Sequence, residues 1–320
     1  MTLSGHEEAR RQWRAAQAGP RMHHAWMLAG PRGLGKASFA LQAARELVAE
    51  PDVPQPPHDH PDVIVLEPLP ATAEDEKKRE EGKPYQTKRN ITVEQIRATQ
   101  QRLTTRPTLG RHRAILIDPA DDLEKGAANA LLKSLEEPPI GSFFLLVAHR
   151  PGRLLPTIRS RCRILRFARL DDGEIDAILR REAPRADDSI RQAAVAAAGG
   201  SPGAALDFVE LDLSEMHSLM REIAEKGDPD FARRGNLAEA IGARPDRARQ
   251  LAAADLARAV IAGRMRTTEP AALPALTEAH AGLVRLAAQA PTYNFDPGLL
   301  VMEIGTLLAS VAAPSALGHG

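Results

Sequence analysis

Apolar positions along the chain fall into two regimes: short apolar runs alternating with amphipathic stretches as far as Phe167, and helical spacing alone beyond Leu170. In the first regime five runs read as strands. They are His24-Ala25-Trp26-Met27-Leu28-Ala29, Pro61-Asp62-Val63-Ile64-Val65-Leu66, Ala114-Ile115-Leu116-Ile117, Phe143 to Val147, and Arg163-Ile164-Leu165-Arg166-Phe167. Each is too short for a buried helix and is bounded by turn residues or charges. Between them the spacing predicts a helix over Phe39 to Ala49, with Leu41, Ala44, Arg45 and Val48 on one face and its side. A second helix opens at Thr92, with Gln95 three residues on as its capping-box partner. A third covers Leu123 to Glu137, with Leu123, Ala127, Ala130, Leu131 and Leu135 at helical spacing, and stops at Pro138-Pro139. Strands alternating with helices predict an α/β domain built on a largely parallel sheet.

In the second regime Asp171-Asp172 caps a helix through Arg181, Ser189 begins another that ends at Gly199-Gly200, and a third starts after Ser201-Pro202. From Leu213 the chain is rich in Ala, Leu and Arg and helical to about Val311, with breaks at Gly227-Asp228-Pro229, Gly242, Pro270 and Pro291. The predicted order is an α/β domain over residues 1–170, a small helical lid over 171–212 and an all-helical C-terminal domain over 213–320. Ala71 to Asn90 carries Glu-Asp-Glu-Lys-Lys-Arg-Glu-Glu at 74–81. Mixed charge without an apolar face predicts a solvated loop there.

Composition narrows the function. Lys+Arg and Asp+Glu are both 42, so the formal charge is zero. This argues against coating DNA or an acidic membrane through bulk charge, and leaves room for a local basic patch. Aromatic residues make up 3%, so no interleaved platform for stacking bases is visible. Cys162 is the only cysteine, which rules out an internal disulfide and a zinc site of several thiolates. Met1 to Arg14 is charged and lacks the apolar core of a signal peptide, and Phe143 to Ala148 is too short to cross a bilayer. Cytoplasmic residence without a membrane partner is the expectation.

The chemistry begins at Gly30-Pro31-Arg32-Gly33-Leu34-Gly35-Lys36-Ala37, which fits G-x-x-x-x-G-K between a predicted strand and a predicted helix. Glycines turn backbone N–H groups toward phosphates, the lysine reaches the terminal phosphates, and the helix N-terminus adds positive potential. Gly30, Arg32, Gly33, Gly35, Lys36 and Ala37 are thus the candidate phosphate positions. Working loops place Ser or Thr after the lysine to hold Mg²⁺. Here Ala37 stands there, and Ser38 lies about 100° further round the helix. Alone, the segment reads either as a phosphate cradle or as a glycine-rich turn that binds nothing. Ile115-Leu116-Ile117-Asp118 is a strand ending in a metal-side carboxylate, followed by Pro119, which has no base to polarise water. Asp121 and Asp122 read as N-caps of the next helix.

In Thr157-Ile158-Arg159-Ser160-Arg161-Cys162 two arginines flank a serine, downstream of Arg153 to Thr157, which has the length for one helical turn. The hexapeptide reads either as an exposed basic turn or as an arginine finger. No His or Asp arrangement marks Cys162 as a nucleophile, so a small buried residue is expected. His58 and His60, without further ligands, are expected in solvent rather than on a metal.

Together these pieces resemble AAA+ clamp-loader subunits. The specific markers are Ala127-Ala128-Asn129-Ala130-Leu131-Leu132-Lys133-Ser134-Leu135-Glu136-Glu137-Pro138-Pro139, then Pro151-Gly152-Arg153-Leu154-Leu155, then Ser160-Arg161-Cys162. The resemblance covers about Gly5 to Phe208 and is architectural beyond. It is greatest to the delta-prime type of bacterial DNA polymerase III, because Gly200-Ser201-Pro202-Gly203-Ala204-Ala205-Leu206 puts Pro202 and Gly203 where hydrolysing gamma or tau subunits carry a nucleotide-reading arginine. The resemblance implies a RecA-like AAA+ domain, a lid and a helical collar. It implies gamma/tau and delta subunits as partners and, through the complex, the sliding clamp and primed DNA. Arg161 would complete the ATP site of a neighbouring gamma or tau subunit. Zinc is not expected, since Pro51 to Asp62 has no cysteine where related subunits carry a four-cysteine module. Lys36 is retained, so ATP binding at the chain's own loop stays open, and Ala148-His149 replaces the polar sensor residue of active relatives. A gamma/tau-type subunit hydrolysing ATP itself is the alternative; Ala37, Pro119 and Pro202-Gly203 stand against it. A stand-alone remodelling enzyme or nucleotide kinase is a third reading, and no acceptor-substrate site for a kinase is visible.

Overall fold

The structure is a computed structural model that describes residues 5–243, 245, 247–289 and 296–312. The chain separates into two compact units, Met1–Ala168 and Arg169–Gly320.

In the first unit the order is α1 (Glu7–Gln17), β1 (Ala25–Ala29), α2 (Lys36–Val48), β2 (Val63–Leu66), α3 (Ala73–Glu80), α4 (Val93–Leu103), β3 (Arg113–Ile117), α5 (Lys125–Glu136), β4 (Ser142–Ala148), α6 (Pro156–Arg159) and β5 (Arg163–Arg166). The five strands are parallel, in the order β2-β3-β4-β1-β5. The apolar runs of the central strands β1, β3 and β4 are continuous because both faces of the sheet are covered there, whereas the edge strands β2 and β5 expose Val65 and Ile164. Side chains alternate across the sheet. Met27, Ile115, Ile117, Phe144 and Leu146 meet Ile96, Leu131 and Leu135 of α4 and α5 on one face. Trp26, Leu28, Leu116, Leu145 and Val147 meet Trp13 of α1 and Phe39, Ala40, Ala43 and Ala44 of α2 on the other. The capping box at α4 is present, with the Thr92 N–H donating to Gln95 Oε1 at 3.0 Å.

Several readings need correction. The buried face of α2 runs through Phe39, Ala40, Ala43, Ala44 and Val48, while Leu41 is exposed. Alanines fill much of that stripe between Phe39 and Val48, so it passes one position to the side of Leu41. Residues 71–90 are not a plain loop, because α3 forms within them. Thr72 Oγ1 accepts the Asp75 N–H at 3.1 Å, and Lys78 pairs with Glu74 at 2.7 Å and Arg79 with Glu76. Acidic residues in the first turn and basic ones in the last complement the helix dipole, which supports a charged helix without an apolar face. His60 is buried, contacting Gln55 Oε1 at 2.8 Å through Nε2 and accepting the Asp62 N–H at 3.0 Å through Nδ1. Arg153 to Thr157 is not one turn. A 3₁₀ turn ends at Arg153, and α6 begins at Pro156, whose fixed φ suits a first helical position.

A buried polar cluster pins the edge of this unit. The Asp62 carboxylate accepts the N–H groups of Thr108 at 2.6 Å and Leu109 at 2.7 Å, with the Arg113 guanidinium 3.6 Å away. Arg113 in turn donates to the Arg106 carbonyl at 2.9 Å. The turn between α4 and β3 is thereby tied to the start of β2.

The second unit is helical: α7 (Asp172–Glu182), α8 (Asp188–Ala198), α9 (Pro202–Glu210), α10 (Ser214–Lys226), α11 (Ala232–Ile241), α12 (Arg247–Met265), α13 (Leu273–Gln289) and α14 (Pro297–Ala309). The Asp171 carboxylate accepts the Glu174 N–H at 2.8 Å and the Glu174 carboxylate accepts the Asp171 N–H at 3.1 Å, closing a capping box. Ser201 Oγ accepts the Ala204 N–H at 3.3 Å at the start of α9. Helices interrupt at Gly227-Asp228-Pro229, at Gly242 and at Pro270; the break placed at Pro291 lies outside the described residues. One apolar core runs from Leu170 to Val311, shared by the helices of 171–212 and those that follow. Arg249 satisfies helix C-termini in that core, donating to the carbonyls of Ile241 at 3.1 Å, Ala240 at 2.8 Å and Leu211. Among the described residues no helix is long and apolar enough to cross a membrane.

Candidate functional site

The loop between β1 and α2 is set by what its glycines permit. The Gly30 N–H donates to the Ala148 carbonyl at 3.1 Å, and a Cβ at Gly30 would strike the Phe167 carbonyl oxygen, so the chain enters the loop where only glycine fits. Gly33 and Gly35 take positive φ of 77° and 74°, and Gly35 is the N-cap of α2. Lys36 is the first residue of α2 and 2% exposed; its Nζ donates to the Pro31 carbonyl. Arg32, Gly33, Gly35, Lys36 and Ala37 line a hollow of about 310 Å³ with Asp118, Pro119 and His149. Gly30 lies behind the hollow rather than in its wall. The opposite wall comes from the C-terminal ends of β3 and β4, where ligands of parallel α/β sheets sit.

The charges in the hollow do not offset one another. Burial pulls the Lys36 ammonium down to about 8; Arg32 adds to this, against the attraction of Asp118 and Asp121. Asp118 is raised above the usual carboxylate range, first by burial and then by Glu67, despite Lys36 and Arg32. For both groups desolvation exceeds the attraction of the opposite charge. His149 is driven to about 4 by burial, Lys36 and Arg32, so its imidazole is neutral at pH 7. His149 Nδ1 is buried without a hydrogen-bond partner among the described residues.

Asp121 is not an N-cap. Residues 120–122 form a 3₁₀ turn, the N-cap of α5 is Glu124, and the Asp121 carboxylate accepts the backbone N–H groups of His149 and, at 3.1 Å, of Arg150. It holds the segment after β4 against the segment after β3. Sequence reasoning treated Ala148-His149 only as a missing sensor, yet His149 is a wall residue; its place just beyond a central parallel strand was the available signal.

These groups suit an anion. Backbone N–H groups at the start of α2 and a buried ammonium favour phosphate. Position 37 has no hydroxyl and position 119 no carboxylate, where hydrolysing P-loop proteins place a Mg²⁺ ligand and a water-positioning group.

Arg161 lies beyond α6 and outside the lining of the hollow. Its Nη1 donates to the Thr157 carbonyl at 2.8 Å and its Nη2 pairs with Glu136 Oε1, at the end of α5, at 2.6 Å. About a third of the side chain is exposed (34%). Arg159 is half-buried, with Nε unpartnered. Burial pushes the Cys162 thiol up to about 12, which keeps it protonated and agrees with a packing role.

Residues 5–171 match the family DNA polymerase III, delta subunit. DNA polymerase III subunit delta' of Pseudomonas aeruginosa is 36% identical over 151 residues, covering 43% of this chain and 41% of that protein. DNA polymerase III subunit gamma/tau of Mycobacterium tuberculosis is 31% identical over 194 residues, 59% of this chain and 33% of that protein. The matched region thus spans less than half the length of either relative. A crystal structure of a DNA polymerase III gamma subunit-related protein from Thermotoga maritima has the same fold, with a TM-score of 0.50 at 16% identity over 94% of this chain and 98% of that one. Five parallel strands in this order, the helical second unit and that likeness make the architecture RecA-like AAA+. With more than half of its length matched, the chain belongs to the DNA polymerase III delta subunit family, as a delta-prime-like clamp-loader subunit.

Proposed function

We propose that the chain is the stator of a DNA polymerase III clamp loader, placing an arginine in the ATP site of an adjacent gamma or tau subunit while its own hollow performs no hydrolysis. With gamma/tau and delta subunits it helps to load the sliding clamp onto primed DNA in the cytoplasm. The observation that carries this reading is the separation of two cations. Lys36 is sealed in a hollow that lacks hydrolytic parts, whereas the Arg161 guanidinium is partly exposed and lies outside that hollow. A guanidinium offers a planar fork of N–H donors to phosphate oxygens. ATP, where it binds this chain, is cradled by the loop and Lys36 and is not turned over. A gamma/tau-type ATPase is the alternative, favoured by the gamma/tau relatives alone; Ala37 and Pro119 weigh against it.

Arginine fingers supply about 10³–10⁵ in rate at the site they serve, far more than an exposed ion pair contributes to stability. In the reconstituted complex, Arg161→Ala is expected to lower DNA-stimulated ATP hydrolysis while subunits still co-elute on size exclusion. Unchanged hydrolysis sinks the finger assignment, and appreciable turnover by the isolated chain sinks the stator reading.

A further inference from the structure

We infer that Glu136 is the positioning residue for Arg161, fixing the plane of its guanidinium so that the remaining N–H groups face outward toward a phosphate. The inference rests on the proposed role of Arg161 and concerns how that arginine is held.

Arg161 stands between a four-residue helix, α6, and β5, so little local backbone structure restrains its long side chain. Two acceptors restrain it instead. The Thr157 carbonyl takes an N–H of Nη1 at 2.8 Å, and Glu136 faces Nη2 at 2.6 Å; Ser160 Oγ is at the limit of contact, 3.5 Å from Nη1. A guanidinium has five N–H donors in a rigid fork. One acceptor on each terminal nitrogen fixes its plane and still leaves N–H groups for an incoming oxyanion.

The two acceptors come from different elements. Thr157 belongs to α6 itself, while Glu136 is the last residue of α5, a helix anchored by Leu131 and Leu135 in the sheet core. The arginine's direction is therefore referred to the core rather than to its own turn. Glu136 gains nothing from its place in α5, since the last turn of a helix carries negative potential that disfavours a carboxylate. Its favourable partner is Arg161. The ion pair is partly solvated, with side chains 34% and 50% exposed, so it orients the arginine without withdrawing it from an approaching phosphate of higher charge.

The test is steady-state, DNA-stimulated ATPase of the reconstituted clamp loader carrying Glu136→Ala, Glu136→Gln, Arg161→Ala or the double variant E136A/R161A. E136A is expected to lower kcat at the site Arg161 serves by roughly tenfold or more, the scale of a small misplacement of a reacting group, with KM for ATP unchanged. E136Q keeps an acceptor oxygen in place and is expected to recover most of that loss. The double variant should be no worse than R161A. Size exclusion and thermal melts of E136A should match the unsubstituted chain, because an exposed pair holds little of the fold. If R161A lowers hydrolysis while E136A leaves it unchanged, Glu136 does not position the arginine. If E136A and E136Q both raise hydrolysis, Glu136 restrains the arginine instead, and the inference is overturned. If R161A itself has no effect, the proposed function and this inference fall together.

Discussion

Replacing Lys36 by methionine removes a buried ammonium and leaves an unbranched side chain in its place. At 2% exposure the ammonium falls from 10.5 to about 8, chiefly through desolvation. At about 1.36 kcal/mol per unit of pKa, holding Lys36 protonated in the folded chain costs about 3 kcal/mol. Methionine forfeits the hydrogen bond to the Pro31 carbonyl, worth about 1 kcal/mol net, because that exposed turn can be reached by water. The difference leaves Lys36→Met about 2 kcal/mol more stable than the parent at neutral pH. For a unit of this size that raises Tm by about 4–8 °C. The pH dependence has a definite sign. Below the folded value of about 8 both states hold the proton and the penalty is constant. Between about 8 and 10.5 the unfolded chain binds a proton that the folded chain has released, so the parent gains stability as pH rises and the advantage of K36M shrinks. Paired melts by circular dichroism at neutral pH and near the top of that window isolate this difference, since the other titrating groups are common to both proteins. A K36M protein that is less stable at neutral pH, or an advantage that does not change across the window, refutes the desolvation argument.

Asp62→Ala removes one partner of a buried ion pair, leaving the Arg113 charge to backbone carbonyls and stranding the N–H groups of Thr108 and Leu109. A loss of about 3–5 kcal/mol in urea denaturation is expected, and a loss below about 1 kcal/mol would contradict it. Titrating the isolated chain with labelled ATP should show binding that is indifferent to Mg²⁺, because Ala37 offers the metal no hydroxyl, and that is abolished in Lys36→Ala. The same binding should weaken as pH rises through about 8, where Lys36 loses its charge; Mg²⁺-dependent binding or survival in K36A would remove the cradle.

The central strands were legible because burial on both faces gives them continuous apolar runs, and the glycine loop because its spacing is a backbone requirement. Helix starts were legible where a side chain caps them, as at Thr92, Asp171 and Ser201. What could not be read depends on partners distant in sequence. Leu41 looked like a core residue because apolar spacing does not say which stripe faces the sheet when alanines fill it. The helix α3 was hidden because its support is electrostatic, from charges that compositional reasoning assigns to solvent. His60 looked exposed until Gln55 and the Asp62 N–H closed on its ring. Asp121 looked like a cap, and its real partners lie 28 and 29 residues on, at His149 and Arg150. The Glu136–Arg161 pair joins two family markers that sequence reasoning had treated independently.

The two cations of the first unit stand in opposite electrostatic situations, and the contrast bears on what each can do. Lys36 has no carboxylate within ion-pair distance among the described residues, and the attraction of Asp118 and Asp121 falls short of its desolvation. A di- or polyphosphate entering the hollow would supply the missing charge and return the stability that burial removes, so binding and folding are coupled at that residue. Arg161 already has its counter-charge, in a solvated setting where the pair is worth about 0–1 kcal/mol. Little has to be given up when a phosphate replaces water around that guanidinium, and its geometry is settled before the phosphate arrives. Preorganised charge is what stabilises a transition state, whereas charge awaiting a partner stabilises a bound ligand. On the proposed reading the hollow at Lys36 is therefore a holding site and Arg161 an acting one.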